Sequence, residues 1–441
     1  MIVYACRAVI RGTLLVLGFL NVLASSPEGP APWRSDPVFQ RIAAALDTVL
    51  AIDGHTHLLS TARFDPTLDE RMPLLNRSTH PGLAAAVRER FGVTIRRNDW
   101  KSTVAELDRA RAAMKARLGE HGYWMDHLDY TRTDVALVNA HSKAGTDGKR
   151  LRWVPHASTL LYPLPAERLK ERSPSHDRDV SRVQTELRGL LKETGREDVP
   201  PDLPSYLRFV EEALRSWQAQ GAVAVKFWDA YLRTLRIAEI PESRAAEIYA
   251  RGRAMPLSRD DYLALQDFLW RHILLEAGRR KVPVHIHSSL GVPPFLRSLE
   301  SDVRNLEDVL ADPRFFGTSI VLIHGGAPFY EHAAYLAMKP NVWIDVSSMS
   351  FVYPVPDVAA AIRKFLVFAP SKVLFGTDVS NYPGVPGGPE IQHLVLSRST
   401  REAIYLALAG LVEDGVIDEA TAIGMGRGIL RGNAERLYGW K

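Results

Sequence analysis

Eight short runs of β-branched and apolar residues recur along this 441-residue chain, and they limit its fold more than any other feature. They are AIDGHTHL (51–58), DVALVNA (134–140), LRWVPHA (151–157), AVAVKFW (222–228), VPVHIHS (282–288), SIVLIHG (319–325), NVWIDVS (341–347) and KVLFGTD (372–378). Runs this short and this apolar read as strands covered on both faces, the environment of a parallel sheet. Helical patterns separate them. Ser258 and Asp261 have capping-box spacing, and Leu265, Phe268, Leu269 and Ile273 then share one helical face. Gly221 ends another helix, and 328–339 and 356–368 are short helical patterns. Eight strands with crossover helices predict an α/β fold, a distorted (β/α)8 TIM barrel. No GxGxxG or GxxxxGK[ST] follows any run, which counts against a nucleotide-binding open sheet.

Two connections are long. Residues 59–133 contain helical pieces near 81–91 and 100–117, and 158–221 contain SHDRDVSRVQTELRGLLKET. Insertions placed after strands lie at the catalytic end of such a barrel. The stretch ERSPSHDRD (171–179) is polar enough to be mobile.

The first 26 residues have their own layout. Arg7 and Arg11 precede a 12-residue apolar core, TLLVLGFLNVLA, and small residues and prolines follow. This reads as a signal peptide for periplasmic or secreted export, with an uncleaved anchor as the alternative, and 27–441 as one barrel domain. The apolar run is shorter than the roughly 20 residues of a spanning helix, so no stable membrane span is expected after cleavage. Cys6 is the only cysteine and lies in this segment, so a mature chain has no disulfide and no cysteine metal ligand. Formal net charge is +4, or +2 without the two arginines, and no long basic run supports nucleic-acid binding. A small-molecule substrate is the expected partner, and oligomeric state is left open.

The chemistry gathers at strand ends. In a strand, residues i and i+2 share a face about 6.6 Å apart, so His55 and His57 point the same way, with Asp53 behind them on that face. A lone HxH is a weak signal, also consistent with hydrogen-bonded core or surface histidines. However, Lys226 ends the fourth run, His285 and His287 the fifth, His324 the sixth and Asp378 the eighth. In a parallel barrel all these ends face one mouth, and histidines with carboxylates there suit zinc or a similar ion. The glycines after His324 let a substrate or loop approach the backbone closely. His141 and His156 end the second and third strands and read as core or surface histidines rather than pocket residues. Asp53 and Asp345 read as hydrogen-bonding supports.

This pattern resembles the amidohydrolase superfamily, over about residues 50–438. More narrowly, VKFWDAYLRTL, HIHSS, VLIHGGAPFYEHAAYLA and VLFGTD are similar to its amidohydrolase-2 branch. Within it they most resemble the amidohydrolase-like domain fused to glutamine synthetase in some fungal and plant proteins. The resemblance implies one or two divalent ions, zinc first, held by His55, His57 and Asp378. His287 and His324 bind a second ion or orient substrate, and Lys226 stands where relatives carry a bridging carbamylated lysine. It implies hydrolysis of an amide or other C–N bond, with Asp378 as proton shuttle and His324 helping to polarise the carbonyl. Tyr231 and Arg233 follow the fourth strand and either hold an acidic group of the substrate, the arginine by pairing with a carboxylate, or are structural; His285 either supports the ligands or faces the substrate. The alternatives are a one-metal decarboxylase or lactonase of the same branch and a non-catalytic binding protein on this scaffold.

Overall fold

A computed structural model describes residues 31–60, 64–166, 169, 174–291, 296–380 and 382–440. The export segment, Cys6 and residues 171–173 lie outside them. All eight expected strands form: β1 Ala51–Thr56, β2 Thr133–Asn139, β3 Leu151–Val154, β4 Val225–Phe227, β5 Val284–His287, β6 Ile320–Ile323, β7 Val342–Asp345 and β8 Val373–Leu374. Every pairing is parallel, in the orders β1-β2-β3 and β4-β5-β6-β7-β8.

Two seams join the pieces into a barrel. Between β3 and β4, His156 bridges to Lys226, and the Lys226 amide donates to Pro155 O at 2.8 Å. Beside β1, the amides of Gly54 and Asp378 donate to Phe375 O and His55 O at 2.8 and 2.7 Å, and that of His57 donates to Val379 O at 2.7 Å. Regular β8 covers only two residues, so this second seam is largely single hydrogen bonds.

Register settles which side chains point inward. Lys226 pairs with His285, His285 with Val321, Val321 with Trp343, and Asp345 with Leu374. These positions share the inner face. On β1, Ile52 pairs with Val135, and both belong to the inner apolar cluster with Leu137, Val154, Val321 and Leu374. The register then shifts between Asp53 and Thr56. Two successive residues oppose one at such a bulge, which turns a side chain to the other face. Asp53 pairs with Ala136, which packs in the outer cluster, and binds a helix outside the barrel. The expectation that Asp53 lies on the face of His55 and His57 is therefore corrected: the bulge separates them.

The helices seal the outer wall. Ser258 caps helix Arg259–Arg279 by accepting from the Asp261 amide, as its spacing predicts. Leu265, Leu269 and Ile273 are buried, and Phe268 is partly buried against them. Trp270 of this helix stacks on Phe227 at 4.7 Å between ring centroids, fixing β4 beside Lys226. Helix Leu203–Ala219 stops before Gly221, at φ +94°.

Three insertion expectations meet different outcomes. Helix Pro81–Phe91 forms as read. The 100–117 piece belongs to Trp100–Tyr130, which breaks at Gly119 with φ +71° and then continues. Buried Tyr123, Trp124, His127 and Leu128 hold the continuation, a second apolar face that begins after the glycine. The stretch expected to be mobile enters helix Pro174–Glu193, whose buried Val180, Val183, Leu187, Leu190 and Leu191 anchor it. Arg178 of the stretch is exposed, while His176 is buried, its Nε2 3.0 Å from Leu232 O. Among the described residues, no helix is long and apolar enough to cross a membrane.

Candidate metal centre

His55, His57 and Asp378 each bring one donor atom to a common point, all within 4.8 Å of one another. Asp378 Oδ1 lies 3.2 Å from His55 Nε2 and 3.6 Å from His57 Nε2. The imidazoles stand edge to face, 5.3 Å apart. His57 Nδ1 is 3.0 Å from Asn139 O. A carbonyl only accepts, so Nδ1 carries the hydrogen and Nε2 keeps its lone pair toward Asp378. Asn139 ends β2, and nothing in the sequence pattern singles it out.

His324 and His287 form the opposite wall. His324 Nε2 lies 3.7 Å from Asp378 Oδ2 and 3.1 Å from His287 Nδ1. Its Nδ1 faces Ser347 Oγ at 3.1 Å, an orienting contact from the end of β7. Tyr231 sits against His287, ring centroids 4.6 Å apart. Lys226 Nζ is 3.4 Å from His55 Nε2, which places it on the same inner face.

Burial sets the protonation of this group. It drives His55, His287 and His324 well below the ordinary histidine range, and neighbouring Lys226 adds to the effect on each. Burial also pulls Lys226 down to about 7, against the pull of Asp378, Asp345 and Asp229. Asp345, whose Oδ2 has no hydrogen-bond partner, is pushed up to about 7 by burial, with Asp53 adding to the rise. Neutral imidazoles beside a carboxylate are the protonation state a divalent ion needs. Buried His55 Nδ1 and His287 Nε2 also lack hydrogen-bond partners. The donor chemistry of His55, His57 and Asp378, neutral imidazoles beside a carboxylate, fits a metal ion.

The backbone at this mouth is strained. His324 and Asp378 have φ of +71° and +53°, and Ser289 and Ser348, at the ends of β5 and β7, have +61° and +62°. Non-glycine residues avoid this region, and such strain concentrates at functional sites. Gly325 and Gly326 continue the left-handed turn at +60° and +64°. A Cβ on either would meet Met349, Phe365, Ala333 or Val303. The glycines thus admit the protein's own packing, and the expected role in substrate or loop approach is corrected.

Two candidate substrate residues are held by internal partners. Arg233 is 1% exposed; its guanidinium is bound to Asp267, and its Nε donates to Thr234 O at 3.0 Å. Burial and the ion pair with Asp267 through Nη2 favour the structural alternative for Arg233, whose Nη1 has no hydrogen-bond partner. His285 lies below the metal group, with Nε2 2.8 Å from Tyr438 Oη. It is fully buried, with its ring 6.4 Å from that of His55, which fits the supporting alternative rather than the substrate-facing one.

The insertion helix adds residues that sequence reasoning passed over. Glu186 of Pro174–Glu193 accepts from Thr159 Oγ1 at 2.8 Å and lies 3.7 Å from His156 Nδ1, at the inward end of β3. Burial works to raise its pKa, but His156, Arg182 and Thr159 outweigh it and hold Glu186 at about 2. Arg182 of the same helix lies over the Trp228 ring at 5.2 Å. His141 is exposed.

Among solved structures, a Lactobacillus casei ATCC 334 protein described as a metal-dependent hydrolase superposes with a TM-score of 0.63 at 17% identity, over 90% of this chain and 97% of its own. Uronate isomerase from Thermotoga maritima gives 0.62 at 11%, over 92% and 98%. Glucuronate isomerase from Caulobacter crescentus gives 0.58 at 13%, over 92% and 95%. Identities this low speak to fold alone. No curated protein matches the sequence. The amidohydrolase family profile matches residues 202–440, more than half of the chain, and by that match the protein belongs to the amidohydrolase family.

Proposed function

We propose that this amidohydrolase cleaves an amide or other C–N bond in a small polar molecule with the help of a divalent ion, zinc first. The observation that carries the reading is the convergence of His55 Nε2, His57 Nε2 and an Asp378 oxygen within 4.8 Å, with the imidazoles held neutral. These three would hold the ion, and His324 stands next to them. When bound, the ion would supply Lewis acidity that activates water and a carbonyl. Asp378 moves the proton: a carboxylate oxygen takes it from the attacking water and passes it to the departing nitrogen. His324 and His287 hold the carbonyl oxygen from the opposite wall, and Tyr231 packs behind His287.

Lys226 bears on ion count. An amine pulled to about 7 is neutral often enough to add carbon dioxide. Its nitrogen would form a bond to the carbon, lose a proton and become an N-carboxylate able to bridge a second ion. Intact mass with and without bicarbonate tests this, and an unshifted mass argues against the bridge.

A one-ion decarboxylase or lactonase is the second reading. It is favoured by the placement of His324 Nε2, which faces His287 at 3.1 Å outside the three-donor group. Metal analysis separates the readings: near two equivalents supports the bridged form, near one the second, and none sinks both. A substrate screen over N-acyl amino acids, dipeptides, γ-glutamyl amides and lactones with zinc then identifies the bond. Export is proposed from the layout of residues 1–26 alone, and N-terminal sequencing of exported protein tests it.

A further inference from the structure

Behind the metal group, on the outer face of β1, runs a buried chain of polar side chains that the proposed mechanism does not use. Asp53 Oδ1 accepts from the backbone amides of His55 at 3.2 Å and Thr377 at 3.0 Å. Its Oδ2 accepts from Thr377 Oγ1 at 2.6 Å and lies 3.2 Å from His393 Nε2. His393 Nδ1 in turn lies 3.0 Å from His127 Nε2. Asp53, His393 and His127 are all fully buried.

The hydrogens follow from the acceptors. An ionised carboxylate only accepts, so His393 Nε2 carries the hydrogen and His393 Nδ1 is a lone pair. His127 Nε2–H then donates to that lone pair. His127 Nδ1 is left as a buried lone pair without a partner, which agrees with its unpaired state. Every N–H in the chain is satisfied under this one assignment.

What the chain holds is specific. The amide of His55 and the residue before Asp378 are the two points that Asp53 clamps. They lie on opposite sides of the β1–β8 seam, where regular pairing has ended. His393 reaches Asp53 from helix Gly388–Glu413, and His127 reaches His393 from the insertion helix Trp100–Tyr130. A core that needed only packing would fill these positions with apolar residues, which avoid the cost of burying polar groups.

We infer that His393, oriented by His127, is a positioning residue that sets the spacing of His55 and Asp378 through Asp53, and so the affinity of the metal group. This rests on the metal reading of His55, His57 and Asp378. Outer partners of ligating groups typically change metal affinity by about 10–100-fold when lost.

The test titrates full-length protein with zinc against a chromophoric chelator and follows folding by circular dichroism. His393→Ala should weaken zinc binding by about 10–100-fold. His393→Gln, whose amide nitrogen can still donate to Asp53, should recover most of that loss. His127→Leu should fall between wild type and His393→Ala. Tyr438→Phe, which removes a polar contact to His285 outside the Asp53–His393–His127 chain, should leave affinity unchanged and controls for general destabilisation. Zinc bound by wild type and equally tightly by His393→Ala overturns this inference alone. Should His393→Ala fail to fold, unchanged affinity in His127→Leu overturns it. If wild type takes up no zinc, the metal reading fails and this inference with it.

Discussion

The same eight strands build two unlike ends. At the floor, Ile52, Val135, Leu137, Val154, Val321 and Leu374 form an apolar layer. Helix Asn433–Tyr438 closes it, Tyr438 stacks on Trp440 at 4.9 Å, and Arg152 lies 3.9 Å over the Trp440 ring. At the mouth, the strands end in imidazoles and carboxylates, four non-glycine residues with positive φ, and buried nitrogens without partners. The floor gains its stability mainly from apolar packing, with the His285–Tyr438 hydrogen bond beside it. The mouth spends some of that stability on groups held where water or an ion can use them.

The comparison breaks first at Asp378. Asp378→Asn should cost about 10²–10⁴-fold in turnover, the usual worth of a placed proton-transfer group, while circular dichroism stays native. Unchanged turnover would remove Asp378 from the proton path. Leu137→Ala should do the reverse. Removing a buried leucine from the floor costs about 2–5 kcal/mol in urea unfolding, with zinc uptake kept.

Acid sharpens the contrast. His285 is held at about 3 by burial, with Lys226 adding to the shift. Its folded pKa is depressed, so the unfolded chain takes the proton first. The stability it contributes is complete above the unfolded value near 6.5 and is lost as pH falls from there toward 3. Between pH 6.5 and 5 one such histidine accounts for about 2 kcal/mol, and His55, His287 and His324 act in the same direction. The fall in urea midpoint between pH 7 and 5 should therefore be smaller in His285→Gln than in wild type. An equal fall would assign the acid sensitivity to the mouth alone. The smallest effect is expected of Tyr438→Phe, about 1 kcal/mol for the hydrogen bond to His285, with metal content unaltered.

Much of this was legible in the chain. Seven strands fell within their apolar runs and β2 began one residue before its run, at Thr133, because burial on both faces demands such runs. The ends of those runs located His55, His57, Lys226, His287, His324 and Asp378 at one mouth, because parallel strands all end on the same side. At Arg233 and His285 the sequence left a choice between a substrate role and a structural one, for one reason. Their partners, Asp267 and Tyr438, lie 34 and 153 residues away, and spacing within a strand says nothing of them. The glycines after His324 were correctly marked as close approaches, but what approaches comes from other helices. Glu186 was hidden in an insertion whose path no periodicity predicts.

Asp53 marks the boundary between the two kinds of knowledge. Alternation put it on the face of His55, and one shift of register put it on the other, where His393 waits 340 residues along the chain. The sequence by itself determined the barrel, the polar mouth and the residue types that gather there, since these depend on period, run length and residue chemistry. Only the tertiary structure decided which groups touch, which are already paired and which stay free. Those depend on distances between segments that meet only when the barrel closes.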